Sequence, residues 1–155
     1  MNAYDNLYFF GELYGMKGNM AKQRADEVLS LVLLKDHAKR PVRTFSGGMK
    51  RRLSLAIALF HDPELLILDE PTVGIDPVLR KQFWDEFRRL KDKGATIIIT
   101  THVMDEAEHC DRLALIRGGR IIALDTPQGL KSSSGKDSIE GAFLYFGQDR
   151  REDTV

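Results

Sequence analysis

A single cysteine, Cys110, among 155 residues excludes an intrachain disulfide and any metal site built on paired thiolates, and is read as a small buried hydrophobe. Charge of neither sign predominates: Lys+Arg and Asp+Glu both total 23, so no global basic field exists to hold nucleic acid or an anionic membrane. No apolar run approaches the roughly 20 residues of a membrane helix. The start, Met1-Asn2-Ala3-Tyr4-Asp5, has neither the basic region nor the apolar core of a signal peptide. These absences predict a soluble chain at home in a reducing cytosol, with one compact unit as the default at this length.

What is present begins with helical periodicity. Leu7, Phe10 and Tyr14 predict a first helix with unusual aromatic bulk from Tyr4, Tyr8 and Phe9, ended by Gly15 and Gly18. Asn19 is read as the N-cap of a second, with Ala21, Ala25, Val28, Leu29 and Val32 as its apolar stripe. After a loop broken by Pro41, Ser46 caps a third helix whose stripe is Met49, Leu53, Ala56, Ile57 and Phe60. Residues 65 to 69 are a continuous apolar run closed by two acids, the pattern of a strand buried on both faces of a parallel sheet. Asp76-Pro77 opens a helix striped by Leu79, Phe83, Phe87 and Leu90, and the strand 95 to 100 follows, completing a βαβ unit. A short helix near 103 to 109, a hairpin of 112 to 117 with 120 to 125 across Gly118-Gly119, and a brief helix after Thr126-Pro127 come next. Ser132 to Gly135 reads as a linker, followed by a terminal helix on Ile139, Ala142, Phe143 and Phe146 and a polar tail.

Three places could carry chemistry. Ser46-Gly47-Gly48 opens a helix, where free N–H groups and the positive dipole end favour an anion and glycine admits close approach of phosphate oxygens. Alternatively, Ser46 only caps its helix and the glycines relieve crowding. Asp69 and Glu70 stand at the carboxyl end of a strand, where open α/β sheets place ligands. One carboxylate could hold Mg²⁺ through water while the other activates a water nucleophile, or both are solvated acids at a strand end. His102 ends the next strand and could donate a hydrogen bond to a phosphate or be structural. Lys50, Arg51 and Arg52 are read as a solvated helix face rather than a nucleic-acid patch.

Taken in order and spacing, these segments resemble the nucleotide-binding domain of ABC-type ATPases. Phe45 to Met49 is similar to the signature motif, Leu66 to Asp69 with Glu70 to the Walker B segment and catalytic glutamate, Val73 to Asp76 to the D-loop, and His102 to the switch histidine. The resemblance runs from about residue 3 to 146. Met49 and Phe45 depart from the usual glutamine and leucine, and with the 120 to 130 segment and the Ile139 to Leu144 helix they look like the bacterial drug- and antibiotic-export branch of the daunorubicin-resistance type. The implied fold is α/β, an incomplete P-loop NTPase (ABC ATPase) fold: a helical subdomain through about 61, the latter half of a mainly parallel sheet over about 62 to 131, then linker, short helix and tail over 132 to 155.

The resemblance also implies the chemistry. ATP and Mg²⁺ are the ligands, and two domains pair head to tail. Ser46, Gly47 and Gly48 meet nucleotide in trans, while Asp69 (Mg²⁺ through water), Glu70 and His102 serve the chain's own side, with Asp76 in the D-loop. Transmembrane permease subunits are the further partners, with no nucleic acid, on the cytoplasmic face of the cell membrane. The first helix adjoins the groove for a permease segment, or packs only on the second helix. Yet the glycine-rich GxxxxGK[ST] loop that cradles phosphates appears nowhere in this sequence, nor do the glutamine loop and adenine-stacking aromatic of the family. The chain reads as the C-terminal portion of a longer domain, inactive alone. Two other readings stay open: a noncatalytic donor of the signature motif or truncated remnant, and a soluble non-transport ABC-type ATPase.

Overall fold

Asn2 opens the first helix with a capping box, its side chain accepting from the Asp5 amide at 3.0 Å while the Asp5 carboxylate accepts from the Asn2 amide at 2.8 Å. In the computed structural model, which describes residues 1–148, this helix is α1 (Ala3–Leu13), followed by α2 (Gly18–Leu31) and α3 (Gly47–Phe60). The three pack on one another through Leu7, Val28, Leu29, Leu53, Ala56, Leu59 and Phe60, all buried. Two short 3₁₀ turns, Lys35–His37 and Val42–Thr44, carry the chain from α2 to Ser46. Helix α2 begins two residues earlier than its sequence suggests: Lys17 is the cap, with no side-chain bond, and Asn19 lies inside.

After α3, β1 (Leu65–Asp69) pairs in parallel with β2 (Thr96–Thr100), in the register Leu65 to Thr96 through Asp69 to Thr100. The crossover is α4 (Pro77–Asp92), capped by Asp76, whose carboxylate accepts from the Val78 and Leu79 amides at 3.1 and 3.0 Å. Helix α4 packs against β2 and buries Leu79, Phe83, Trp84, Phe87 and Leu90. The strand β1 is not buried on both faces as its apolar run suggests. Leu66 and Leu68 are covered, whereas Leu65 and Ile67 are 55% and 67% exposed. Only one face of the pair meets a packed helix layer, so burial alternates at the two-residue period of the pleat.

The chain divides into two compact units, Met1–Thr100 and a second beginning at Thr101. The second holds α5 (Met104–Ala107), the antiparallel hairpin of β3 (Leu113–Arg117) and β4 (Arg120–Asp125), α6 (Pro127–Ser134) and α7 (Ile139–Gln148). Gly118 and Gly119, with φ of 56° and 73°, make the hairpin turn, a geometry that a β-carbon disfavours at both positions. Ala107, Leu115, Leu130, Ile139 and Ala142 form its core, with Met104, Leu113, Phe143 and Phe146 packed against them. The expected linker is instead the end of α6. The Ser133 and Ser134 hydroxyls donate to the Gly129 and Leu130 carbonyls at 2.7 and 2.8 Å, and Gly135 caps the helix. The polar tail expected after α7 lies outside the described residues. Among the described residues, no helix is long and apolar enough to cross a membrane.

Candidate functional site

The candidate residues of the first unit stand at three places: the N-terminal turn of α3, the carboxyl end of β1 and the cap of α4. Ser46 has extended backbone and its hydroxyl accepts from the Met49 amide at 3.2 Å, satisfying one of the open donors of α3. Gly47 and Gly48 are exposed. Among the described residues, a β-carbon built at either position meets no atom within 4 Å beyond its chain neighbours and its own helix backbone, so no packing contact there requires glycine. The crowding explanation for these glycines is thereby removed.

At the end of β1, Asp69 is paired in register with Thr100, whose hydroxyl donates to the Asp69 carboxylate. The Glu70 amide donates to the Thr100 carbonyl at 2.9 Å, extending the ladder one residue past the strand. Glu70 itself has φ of 46°, a left-handed backbone. Its carbonyl accepts from the Val73 amide at 3.4 Å, starting the turn that runs through Thr72, fully buried, to Asp76. The same carbonyl accepts from Arg51 of α3, tying the helix behind Ser46 to the acid at the strand end.

Arg51 and Arg52 are therefore not simply a solvated face. Arg52 Nη1 donates to the Val32 carbonyl at 3.2 Å and the Leu33 carbonyl at 3.4 Å, where α2 ends. Neither role was legible: helical periodicity places both arginines off the apolar stripe, and the Arg51 bond joins residues 19 positions apart. Asp76 spends its carboxylate on the cap of α4. His102 belongs to the second unit and is exposed, in the segment before α5. There the Thr101 hydroxyl accepts from the Val103 amide at 3.0 Å and donates to the buried Glu106 carboxylate at 3.2 Å. In the same unit, burial pushes the Cys110 thiol above its ordinary value, which suits an inert side chain better than a nucleophile.

The donor set bears on the ligands. Among the described residues, no three His, Cys, Asp or Glu side chains converge on a metal position. Asp69 offers one exposed carboxylate oxygen set at the strand end. That fits magnesium, which keeps much of its octahedral shell as water and phosphate oxygen and takes only one or two carboxylates from protein.

Comparison with known proteins meets this geometry from another side. A family profile described as "ABC transporter" matches residues 2–73. The linearmycin resistance ATP-binding protein LnrL of Bacillus subtilis (strain 168) is 48% identical over 140 residues, covering 90% of this chain and 45% of that protein. The daunorubicin resistance ATP-binding protein DrrA3 of Streptomyces coeruleorubidus is 42% identical over 149 residues, covering 96% of this chain and 47% of that protein. A solved structure described as an ATP binding subunit of an ABC transporter superposes with a TM-score of 0.87 at 25% identity, covering 95% of this chain and 62% of that one. The chain belongs to the ABC transporter ATP-binding family, and its α/β architecture is part of that fold. It spans less than half the length of the two resistance proteins. The resemblance read from the signature motif, the acids and the terminal helix is borne out, including its likeness to the daunorubicin-resistance branch.

Proposed function

We propose that this chain supplies two of the surfaces of an ATP-hydrolysing subunit that powers export through a membrane permease. The observation that carries the reading is the pair of exposed glycines at the start of α3. They cost helix stability and relieve no packing contact among the described residues, so their use is explained by a group outside the fold that must approach the backbone closely. An anion held by a second ATP-binding domain suits the open N–H groups of Gly47 and Gly48 and the dipole of a 14-residue helix. Ser46 caps that helix and adds a hydroxyl at its mouth. On the chain's own side, Asp69 is suited to an outer position on Mg²⁺, and Glu70 to accepting a proton from water. Mg-ATP supplies a phosphoanhydride whose leaving group the metal neutralises. His102 is assigned to phosphate contact and Asp76, through the turn it closes, to the paired surface.

Names of the relatives support export: two are resistance ATP-binding proteins, and the protein YbhF of Escherichia coli (strain K12), 40% identical over 151 residues, is named as a probable multidrug ABC transporter ATP-binding protein. Permease subunits and a second ATP-binding domain are accordingly the partners, and the cytoplasmic face of the membrane the location. Because the sequence holds no GxxxxGK[ST] loop, most phosphate contacts must come from elsewhere, and the chain alone is inactive. The test is ATP turnover by the purified chain, then sedimentation with a complete ATP-binding domain in Mg-ATP. No turnover alone and nucleotide-dependent pairing that Gly48→Arg abolishes are expected. Turnover by the chain alone that disappears in Glu70→Gln overturns the inactivity; pairing that ignores nucleotide and Gly48 overturns the signature role.

A further inference from the structure

Three non-glycine residues have positive φ among the described residues: Leu33 at 54°, Asp62 at 46° and Glu70 at 46°. In that region the β-carbon crowds the carbonyl oxygen that follows, at a cost of roughly 1–2 kcal/mol, so the surrounding structure must hold each one in place. An arginine bonds to each: to the backbone carbonyl at Leu33 and Glu70, and to the side-chain carboxylate at Asp62. Arg52 grips the Leu33 carbonyl at 3.4 Å, Arg24 Nη2 meets the Asp62 carboxylate at 2.7 Å, and Arg51 Nη2 donates to the Glu70 carbonyl. Leu33 and Asp62 stand just past the ends of α2 and α3, where left-handed residues commonly terminate helices. Glu70 follows a strand, so helix termination does not account for it.

The Glu70 backbone is fixed on both sides. Its amide is tied to Thr100 at 2.9 Å, and its carbonyl is shared between the Val73 amide at 3.4 Å and the Arg51 guanidinium. The direction in which the carboxylate leaves the chain follows from those restraints. We propose that Arg51 is a positioning residue for Glu70: it locks the left-handed peptide and links the Ser46–Gly48 turn, through α3, to the acid at the end of β1. The functional importance of the link rests on the reading above, in which that turn faces one nucleotide and Glu70 serves another. A contact made at the first site then reaches the acid of the second through one helix and one guanidinium hydrogen bond.

The test is solution NMR on the isotopically labelled chain without nucleotide. Arg51→Ala should move the Glu70 backbone carbon resonances away from left-handed values and raise amide exchange at Glu70 and Val73 about tenfold. The α2 resonances should stay in place, and Arg51→Lys should recover part of the native pattern. Ser46→Ala should shift Glu70 when Arg51 is present and leave it unmoved in the Arg51→Ala background. Glu70 resonances indifferent to Arg51→Ala overturn the proposal, as does a Ser46 response that survives without Arg51. Collapse of the α2 resonances together with those of Glu70 also overturns it, since Arg51 would then be a general stabiliser. A negative result here leaves the ATPase reading standing, and absence of nucleotide-dependent pairing leaves the spectra to judge Arg51 by themselves.

Discussion

Gly47 and Gly48 occupy the first turn of α3 in ordinary helical backbone, with open space where a β-carbon would sit. Glycine there raises the entropy of the unfolded chain and weakens the helix by about 0.5–1 kcal/mol relative to alanine. Their presence is a local departure from what the fold prefers, and such departures concentrate where a surface has another use. Gly47→Ala and Gly48→Ala should each stabilise the isolated chain by about 0.5 kcal/mol in urea unfolding, while weakening nucleotide-dependent pairing with a complete domain. A loss of stability on either substitution would mean that the glycines serve the fold. Ser46→Ala provides the contrast: it removes the oxygen that accepts from the Met49 amide and should cost about 1 kcal/mol.

At the scale of elements, the joint between α2, α3 and α4 is electrostatic. Arg24 of α2 donates to the Leu59 and Phe60 carbonyls at the end of α3, at 3.0 and 3.4 Å, and pairs with Asp62 at 2.7 Å and Glu86 of α4 at 3.2 Å. Arg89 joins the same two acids at 3.0 and 2.6 Å, and Lys93 meets Asp62 at 2.9 Å. Burial pushes the carboxyls of Asp62 and Glu86 up, but the hydrogen bonds and charges of these cations outweigh it and hold both below the usual carboxylate range. A carboxyl depressed in the folded state contributes stability above its unfolded pKa and loses it as pH falls through the folded value. The chain should therefore weaken progressively below pH ~4, and Asp62→Asn should flatten that acid limb in thermal melts. Arg24→Met should cost roughly 1–3 kcal/mol at neutral pH, because it strips charge-assisted bonds from a carboxylate that is nearly buried. None of this joint was legible in the sequence, since its members are scattered over α2, a loop and α4 and carry no periodic signal. The helices and strands themselves were legible, because apolar spacing and caps such as Ser46 and Asp76 are local. The errors fell where composition misleads: the serines of α6 look like a linker until their hydroxyls fold back on the helix carbonyls. A continuous apolar run likewise reads the same whether a strand is covered on one face or two.

That last difference governs the whole molecule. Leu65, Ile67 and Ile98 are 55%, 67% and 50% exposed on the parallel pair β1–β2, on the opposite face from the buried Leu66 and Leu68. A two-stranded sheet with one covered face is marginal on its own, and contiguous apolar side chains on an open face with exposed strand edges favour association with a second copy. The chain carries no net charge to oppose it, with 23 basic and 23 acidic residues. Sedimentation of the purified chain should accordingly depend on concentration, and its unfolding midpoint should rise with concentration as association stabilises the folded form. Ile67→Lys tests the face directly. Its side chain points to solvent, so the substitution should leave Leu66 and Leu68 packed and the helices folded while shifting the chain toward monomer. An unchanged association constant in Ile67→Lys would move the adhesive surface elsewhere. A sharp, concentration-independent melt of a monomer would show that α4 and the helical layer stabilise the pair without any partner.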